Sequence, residues 1–569
     1  MILVGLAFLT AAASASAAPF VENGRSVTGG FDPSRIFEAP SLAVDPQNPN
    51  TVALVAGNYH YPGGCYLYMS RNGGLSWDPP VSLLLPGSQF CVDRPLSGRY
   101  AQPVFASDGT IYVGFGAAPG GQQFPNNQSS AYVSRTSDLG LTTSTSVVSP
   151  SHMITGSGSG SGMGGGSMSS GKMMKMGAQS AMTQARGASI AVDPSNPKLV
   201  YLGWLLTTTE PADFKGSPGA SYSVLGVEES MVSVSHDGGR IWSAPLDLTT
   251  AAAHPAIPAH YGTETPAMVA APGGTVYAIA DSNLPSTTTA ANQLVMYKST
   301  NNGASWKGSV IPFPLARQYE SIASPQAAID PHTGEIYVTV NVQAGKPGTF
   351  VGAQSVYVLH SSNGGRSWSA PVNVVDPSAR FSYDQYDPSV SVAPDGRVDV
   401  AWIDYRSDPY YRLGPSGKPV AGSSAAERYY DIYSASSTNH GATWSKNLRV
   451  SDQMIDSSLG AEFPDFAVAP VGIASTNSRM YAAWGNPVAG APPATPEDSF
   501  FTSVDFAAPG AVGTAAKAAS GDDVVWGIIG AGLALLLGGL ILVGLRQRQL
   551  ETGRPLPEKE KVGSRTGSD

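Results

Sequence analysis

Residues 361–371 read SSNGGRSWSAP, in which two adjacent glycines are followed three residues later by a tryptophan. The same frame, Ser-x-Asn/Asp-x-Gly-x-Ser/Thr-Trp, recurs along the chain, once with Ile in the Ser/Thr slot and once without the tryptophan. The other copies are SRNGGLSW (70–77), TSDLGLTT (136–143), SHDGGRIW (235–242), STNNGASW (299–306) and STNHGATW (437–444). Asn and Asp side chains bond the backbone of their own turn, and glycine tolerates positive φ. The frame therefore predicts a tight hairpin that is covered by an indole.

Each frame lies inside a longer unit that has the composition of four short strands. The unit around the opening stretch contains AAIDP (327–331), EIYVTV (335–340), VYVLHS (356–361) and VNVV (372–375). Successive frame tryptophans from Trp242 to Trp444 are 64, 62 and 76 residues apart, or one unit each. The 165 residues between Trp77 and Trp242 hold two units and an insert. This repetition predicts an all-β fold, a β-propeller with four antiparallel strands in each blade.

A seventh unit starts at Phe466 and ends with FFTSVDF (500–506), but it has neither a frame nor a fourth strand. The segment FVENGRSV (20–27), ahead of the first unit, can supply that missing strand. Closing the ring in this way removes unpaired strand edges. We therefore expect seven blades, with six as the alternative.

The two ends of the 569-residue chain are apolar and predict export and anchoring. The start, MILVGLAFLTAAASASA, ends in an Ala-x-Ala pattern and predicts a signal peptide over 1–18, although it lacks a leading Lys or Arg. Residues 524–545 carry no charge and reach about 33 Å as a helix, enough to cross a bilayer. A buried core helix is the alternative.

The charges that flank the predicted span predict its orientation. Two aspartates precede the span, and Arg546 and Arg548 follow it, so we expect a cytoplasmic tail over 546–569. The propeller, over 19–506, and a flexible linker, over 507–523, then lie outside the cell membrane. The formal net charge of −9 and the lack of a basic tract argue against a nucleic-acid partner.

Two further features are the cysteines and a low-complexity insert. The chain has only Cys65 and Cys91, which in an exported domain predict a disulfide, with two free thiols as the alternative. The Gly/Ser/Met-rich insert over 151–185 cannot bury a core and predicts a flexible surface loop. Its methionines and His152 are soft ligands that suit Cu(I), whereas compositional drift is the simpler interpretation.

The frame resembles the Asp-box (BNR) repeat, and the order of segments in each unit resembles the sialidase-like propeller superfamily. The resemblance covers roughly residues 30–506 apart from the insert. Asp-boxes also occur in propellers that are not enzymes, so the resemblance implies the propeller fold more strongly than an activity.

Membership of the sialidases would imply an arginine triad that grips a carboxylate, a Tyr–Glu nucleophile pair and an Asp acid/base. The first arginine of that triad lies in a Phe-Arg-Ile-Pro stretch, and Glu38 stands in its slot here. The candidates for substrate binding are Arg94, Arg99, Arg186, Arg317, Arg380 and Arg406. The catalytic candidates are Tyr319, Glu320, Asp384 and Asp387. Alternatively, these side chains are the ordinary paired polar residues of an axial funnel.

Acidic residues also recur just before the proline that opens an inner strand, at Glu38, Glu264, Asp387 and Glu462. Equivalent positions of different blades converge on the axis, so these acids form either a Ca²⁺ site or ion pairs with the nearby arginines. No other cofactor is expected.

Two function classes follow from these observations. The first is a membrane-anchored extracellular binding module that recognises a glycan or a protein through its axial face. The second is an exo-glycosidase of the sialidase type. We expect the binding module, because Glu38 replaces the first arginine.

Overall fold

A computed structural model describes most of the predicted propeller and no residue beyond 506. The described residues are 19–28, 37–58, 64–85, 88–92, 101–119, 129–150, 153–155, 180–209, 224–252, 265–282, 293–313, 319–344, 354–380, 382–412, 428–459, 471–487 and 497–506. At several strand ends only the backbone is described.

The first strands in the chain are two short N-terminal ones, followed by those of blades 1 and 2. The N-terminal strands are β1 (Phe20–Val21) and β2 (Arg25–Ser26). Blade 1 consists of β3 (Phe37–Val44), β4 (Val52–Asn58), β5 (Gly64–Ser70) and β6 (Val81–Ser82). Blade 2 consists of β7 (Ser88–Val92), β8 (Ala101–Phe105), β9 (Ile111–Pro119), β10 (Ser130–Thr136) and β11 (Ser144–Ser149). In blade 2, β7 and β8 both pair with β9.

Blades 3 to 5 follow in the same order. Blade 3 consists of β12 (Met153–Thr155), β13 (Ser180–Asp193), β14 (Asn196–Thr209), β15 (Val224–Ser235) and β16 (Leu246–Asp247), and a one-turn helix α1 (Leu248–Ala251) follows it. Blade 4 consists of β17 (Ala267–Ala271), β18 (Thr275–Ser282), β19 (Gln293–Ser299) and β20 (Lys307–Val310). Blade 5 consists of β21 (Tyr319–Ile329), β22 (Ile336–Ala344), β23 (Gln354–Ser361) and β24 (Val372–Asn373).

Blades 6 and 7 complete the set. Blade 6 consists of β25 (Gln385–Val392), β26 (Val398–Asp404), β27 (Tyr429–Ser437), β28 (Leu448–Arg449) and β29 (Ile455–Asp456), followed by a 3-10 turn (Ser457–Leu459). Blade 7 consists of β30 (Gly472–Ser475), β31 (Arg479–Pro487) and β32 (Glu497–Asp505). The seven sheets confirm the prediction of a seven-bladed all-β propeller.

The ring closes through the N-terminal strands. The inner strand of each blade contacts the inner strand of the next, and β30 of blade 7 contacts β3 of blade 1. The outer positions of blade 7 are filled by β1 and β2, which both pair with β32, with Phe20 opposite Asp505 and Arg25 opposite Phe501. The prediction that residues 20–27 supply the missing strand is therefore confirmed.

The core of the described residues is divided among the interfaces between blades. Seven buried apolar clusters exist, and each joins two adjacent blades. The indoles of Trp204 and Trp402, on the second strands of blades 3 and 6, are fully buried. Burial of one large apolar side chain contributes about 1.5–3 kcal/mol, so each interface holds many times the energy of a single contact.

The frames form the hairpins that the sequence predicts. In blade 5 the hydroxyl of Ser361 donates to Oδ1 of Asn363 (3.1 Å) and accepts the N–H of Gly365 (2.9 Å). The same Oδ1 accepts the N–H of Ser367 (2.9 Å). The opening serine, to which the sequence analysis gave no role, is thus the second half of the turn. In three frames the indole N–H also donates to the carbonyl of the turn glycine, as Trp306 does to Gly303 (3.0 Å).

The second glycine of each frame contacts the preceding blade. Both turn positions have positive φ, yet Leu139, Asn302 and His440 occupy the first position and only glycine occupies the second. A Cβ on Gly74 would lie 1.9 Å from the Phe501 ring of blade 7, and one on Gly303, Gly365 or Gly239 would approach blades 3, 4 and 2. The frame is therefore a clamp between blades as well as a turn.

Blade 7 has no frame, and a buried ion pair joins blade 6 to it instead. Arg397 pairs with Asp399 (3.0 Å), and its guanidinium donates to the carbonyls of Thr476 (2.7 Å) and Asn477 (2.9 Å). Ser475 of blade 7 donates to the same carboxylate at 2.7 Å. Because each charge has several partners, this pair satisfies the condition under which a buried ion pair is tolerated.

The prediction that residues 151–185 form a flexible loop is wrong at both ends of that segment. Strands enter the predicted insert at both ends, because Met153–Thr155 pairs with the start of the strand Ser180–Asp193. Residues 156–179 lie outside the described part. The signal peptide over 1–18, the linker over 507–523, the span over 524–545 and the tail over 546–569 also lie outside it. Among the described residues, no helix is long and apolar enough to cross a membrane.

We predict that Gly74→Ala lowers the free energy of unfolding more than Gly109→Ala does. Gly109 has a φ of +83° and no atom within 4 Å of an added Cβ, so its substitution costs only the left-handed conformation, about 1–2 kcal/mol. At Gly74, with a φ of +85°, the contact with Phe501 adds an overpacking cost of about 1–3 kcal/mol. Chemical denaturation of the full chain measures both. Equal losses would show that the inter-blade contact contributes nothing.

Candidate functional site

The two ends of the ring differ in what they carry. The frames lie at the same end as the first hairpin of each blade, since Asn302 in the frame of blade 4 donates its N–H to the carbonyl of Gly274 (3.0 Å). We call this the frame end. The opposite end, here called the entry end, carries the first residues of the inner strands. The described candidates Asp384, Asp387 and Arg406 lie at the entry end, beside the start of β25 and the end of β26.

Five of the ten predicted catalytic and substrate-binding residues have no described side chain. Arg94, Arg99 and Arg317 lie outside the described residues. Tyr319 and Glu320 begin β21, where only the backbone is described, and Glu38 has the same status in β3. Their predicted roles stay predictions.

Arg186 lies in β13 and is half-buried. Its Nη2 and Nε donate to Oε1 of Gln184 in the same strand, at 3.0 and 3.4 Å. Its backbone carbonyl accepts the hydroxyl of Thr265, ahead of blade 4, at 3.1 Å. Arg186 therefore helps to join blades 3 and 4.

Arg380 and Arg406 contact the outer parts of blades 5 and 6. Arg380 donates to the carbonyls of Val375 (2.5 Å) and Asn373 (2.7 Å). Arg406 pairs with Asp404 (2.6 Å), donates to Asn447 (2.9 Å) and lies over the Tyr433 ring at 4.1 Å. Asn373 lies in the outer strand β24, and Asn447 directly precedes the outer strand β28. These contacts give both guanidinium groups a structural role.

Asp384 is a buried carboxylate that connects three segments. Its Oδ1 accepts the N–H of Gln354 at 2.5 Å, and its Oδ2 accepts the hydroxyl of Tyr411. Its carbonyl accepts the N–H of Tyr405 at 3.1 Å. Asp384 thus fastens the start of β23 and the segment after β26 to the start of β25.

Asp387 lies at a bulge in β25. It has a φ of +46°, and the strand register shifts between Tyr386 and Ser389. Ala39 has the same conformation, with a φ of +47°, at the equivalent bulge of β3. Proline follows each of these two residues. The residue–proline pairs in the sequence therefore mark a bulge at the start of an inner strand.

The predicted carboxylate ring is only partly described. Of its four acids, only Asp387 has a described side chain, because Glu264 and Glu462 lie outside the described residues and Glu38 is described by its backbone alone. Within the described residues, no group of three or more His, Cys, Asp or Glu side chains can hold a metal ion. The Ca²⁺ site stays a prediction.

A tyrosine pair stands out at the entry end of blade 6. The rings of Tyr410 and Tyr429 lie 6.0 Å apart at an angle of 40°, and 57% of Tyr410 is exposed. The guanidinium of Arg428 lies over the Tyr429 ring at 4.9 Å. We call Tyr410, Tyr429, Arg428 and Asp456 the tyrosine rim. It combines exposed aromatic surface with charged hydrogen-bonding groups.

Asp408 holds the rim in place from below. Its Oδ1 accepts the N–H of Tyr410 (2.8 Å), and its Oδ2 accepts the N–H groups of Arg428 and Tyr429 (2.9 Å each). Asp408 is buried. One carboxylate therefore joins two parts of the chain that residues 413–427 separate in sequence.

Arg428 and Asp456 form the charged edge of the rim. Nη2 of Arg428 donates to Oδ2 of Asp456 at 2.9 Å, and Nε donates to Oδ1 at 3.1 Å. This hydrogen bonding raises the pKa of Arg428 above its usual value. The antiparallel pairing of Tyr429 with Asp456 fixes the position of the pair.

An aromatic layer supports the rim from the interior. The ring of Tyr405 lies 5.7 Å from that of Tyr386, 5.9 Å from that of Tyr430 and 6.3 Å from that of Tyr411. The sequence analysis missed this cluster. The available signal was a pair of tyrosine doublets, PYYR (409–412) and RYYD (428–431), on either side of a Gly/Pro/Ser-rich stretch.

Cys65 lies in β5, is buried in the cluster between blades 1 and 2 and is disulfide-bonded. The only other cysteine in the chain is Cys91, whose backbone lies in β7 of blade 2.

Comparison with known proteins gives distant similarities to solved structures. A Dyadobacter fermentans protein of unknown function is 12% identical over 86% of this chain and 99% of that chain, with a TM-score of 0.43. A Hadza microbial sialidase is 12% identical over 80% and 74%, with a TM-score of 0.38. An α-L-arabinanase of Penicillium chrysogenum, complexed with arabinobiose, is 14% identical over 68% and 94%, with a TM-score of 0.39.

No protein-family model matches the sequence, and no curated protein matches it. The distant similarities assign neither a substrate nor a site residue.

We predict that Asp408→Ala loosens the tyrosine rim and lowers the free energy of unfolding by about 1–3 kcal/mol, because three backbone N–H groups lose their acceptor. Chemical denaturation measures the loss, and the near-ultraviolet circular dichroism of tyrosine reports the pair. Asp395→Ala is the control, since that exposed carboxylate accepts only the N–H of Arg397 (3.2 Å). An unchanged tyrosine signal in Asp408→Ala would contradict the prediction.

Proposed function

We propose that the protein is an extracellular carbohydrate-binding β-propeller, and that the tyrosine rim of blade 6 is its binding surface. The observation that supports this proposal is the Tyr410–Tyr429 pair, in which Tyr410 is exposed and Tyr429 is half-buried, and whose backbone N–H groups donate to Asp408. Aromatic faces pack against the C–H groups of a sugar ring, and Tyr and Arg are residues on which binding energy concentrates. The Arg428–Asp456 pair offers donors and acceptors to sugar hydroxyls.

We further propose that the chain is exported and anchored. The apolar start over 1–18 acts as a signal peptide, and residues 524–545 act as a single membrane span with the propeller outside. The disulfide-bonded Cys65 fits an oxidising compartment. The frames act as Asp-boxes, because their Ser and Asn or Asp side chains make the turn bonds that the sequence motif implies.

Binding is favoured over hydrolysis by what the described candidates already contact. Both carboxylate oxygens of Asp384 accept hydrogen bonds in a buried position. The guanidinium of Arg380 donates to backbone carbonyls of blade 5, and that of Arg406 pairs with the carboxylate of Asp404 in blade 6. The glycosidase alternative therefore depends on Tyr319, Glu320, Arg94, Arg99 and Arg317.

We predict that Tyr410→Ala weakens glycan binding by the full chain about tenfold or more, which is about 1.4 kcal/mol. A glycan array identifies the ligand, and titration calorimetry measures the affinity. Ile241→Ala is the matched control, because Ile241 is 74% exposed but lies in a frame at the opposite end of the ring. Equal affinities of wild type and Tyr410→Ala would place the binding surface elsewhere.

The hydrolase alternative has its own assay. Release of the aglycone from a fluorogenic sialoside by the full chain, lost in Arg317→Ala or Tyr319→Phe, would replace the binding proposal with a sialidase. We expect no release from a panel of sialosides and neutral glycosides, while Tyr410-dependent binding is retained.

A further inference from the structure

A polar pocket lies at the frame end, between blades 2 and 3 and away from the tyrosine rim. Its volume is about 310 Å³, which is near the lower limit of small-ligand pockets. Its walls come from the first and the third-to-fourth hairpins of blade 2, the first hairpin of blade 3 and the frame turn of blade 3. The lining residues that matter are Arg135, Lys198, Arg240, Thr142, Thr143 and Ser144.

Three cations line this pocket, and most of their donors have no partner within the described part of the chain. The exposed ammonium group of Lys198 makes no hydrogen bond or ion pair to any described residue. Arg135 donates from Nη1 to the carbonyl of Gly238 (3.2 Å), and Arg240 donates from Nη1 to the carbonyl of Asp237 (3.0 Å). Each guanidinium has five N–H donors, so several remain for a ligand.

The two acids that line the pocket are already bound to the backbone. Asp237 accepts the hydroxyl of Ser235 (2.8 Å) and the N–H groups of Arg240 (3.0 Å) and Ile241 (2.9 Å). Asp108 accepts the N–H of Thr110 at 3.0 Å. The lining therefore carries three cations and two carboxylates, and a third carboxylate, that of Asp138, lies behind the wall on the hydroxyl of Thr142 (2.6 Å).

Two frames border the pocket, and the one in blade 2 has no tryptophan. Thr143 stands in the tryptophan slot and lines the pocket together with Thr142 and Ser144. Thr143 and Ser144 present hydroxyl groups that can donate to oxygen atoms, whereas the hydroxyl of Thr142 already donates to Oδ2 of Asp138 (2.6 Å). Tyr112 also lines the pocket, and its hydroxyl donates to the carbonyl of Pro197 at 3.1 Å.

We propose that this pocket binds a small oxyanion, either the acid group of a monosaccharide-sized ligand or a free inorganic anion. Lys198 and Arg240 supply positive charge, and Arg135, in β10 of blade 2, supplies further N–H donors. Two N–H groups of one guanidinium can donate to two oxygen atoms of the same carboxylate or sulfate. The site is independent of the carbohydrate-binding function proposed for blade 6, because it lies at the opposite end of the ring.

Titration calorimetry of the full chain with sodium sulfate and with D-glucuronate tests the site, with methyl glucoside as the uncharged comparison. We expect saturable binding of at least one anion, none of the glucoside, and weakening at higher salt. The variant Lys198→Gln/Arg240→Gln should reduce the affinity at least tenfold while the melting temperature is retained, since both side chains are exposed.

Arg366→Gln is the matched control, because Arg366 holds the same place in the frame of blade 5 as Arg240 holds in blade 3. Its affinity should equal that of the wild type. Binding of glucuronate but not sulfate assigns the site to sugar acids, and the reverse assigns it to inorganic anions. Failure of both anions to bind, or equal binding by the double variant and the wild type, would overturn the proposal.

Discussion

The seven-bladed ring depends on close contact between the frame turn of one blade and the side chains of the blade before it. Both turn residues have positive φ, but the first accepts Leu139, Asn302 or His440, whereas the second is always glycine. The φ values contribute to that difference, because the non-glycine first residues have φ of +56° to +59° and the second glycines have φ of +74° to +87°. The preceding blade adds a steric reason at Gly74 and Gly303, where an added Cβ would lie 1.9 and 2.5 Å from its side chains. Where blade 7 lacks a frame, the Arg397–Asp399 pair joins it to blade 6.

The fold was largely predictable because its signals are local and repeated. The frames, the short strands and the unit spacing gave the propeller, and the missing strand of the last unit gave the closure by residues 20–27. The ion pair between blades 6 and 7 was not predictable, since Arg397 and Asp399 look like an ordinary turn and strand edge in RVDVAW. The partners of Arg397 are the carbonyls of Thr476 and Asn477 in another blade, and carbonyls leave no trace in a sequence.

The candidate site was much less predictable, for the same reason. Arg380 precedes the inner strand β25 and Arg406 follows the second strand β26, but the contacts that fix their guanidinium groups are with backbone carbonyls and outer-strand neighbours. The tyrosine rim depends on Asp408, whose carboxylate joins residues on both sides of 413–427. No local pattern marks that contact. The tyrosine rim places aromatic side chains at the entry end of blade 6, whereas the pocket of blades 2 and 3 places cations at the frame end. The two ends of the propeller therefore carry surfaces of different chemistry.

The inter-blade contact is tested most directly by a double-mutant cycle between Gly74→Ala and Phe501→Ala, measured by chemical denaturation of the full chain. An added Cβ on Gly74 would lie 1.9 Å from Cε1 of Phe501 in blade 7, the preceding blade of the ring. Shortening Phe501 removes that overlap, so Gly74→Ala should then cost only its left-handed conformation, about 1–2 kcal/mol. We predict that the two substitutions are coupled by about 1–3 kcal/mol. Strictly additive losses would contradict the view that the frames join the blades.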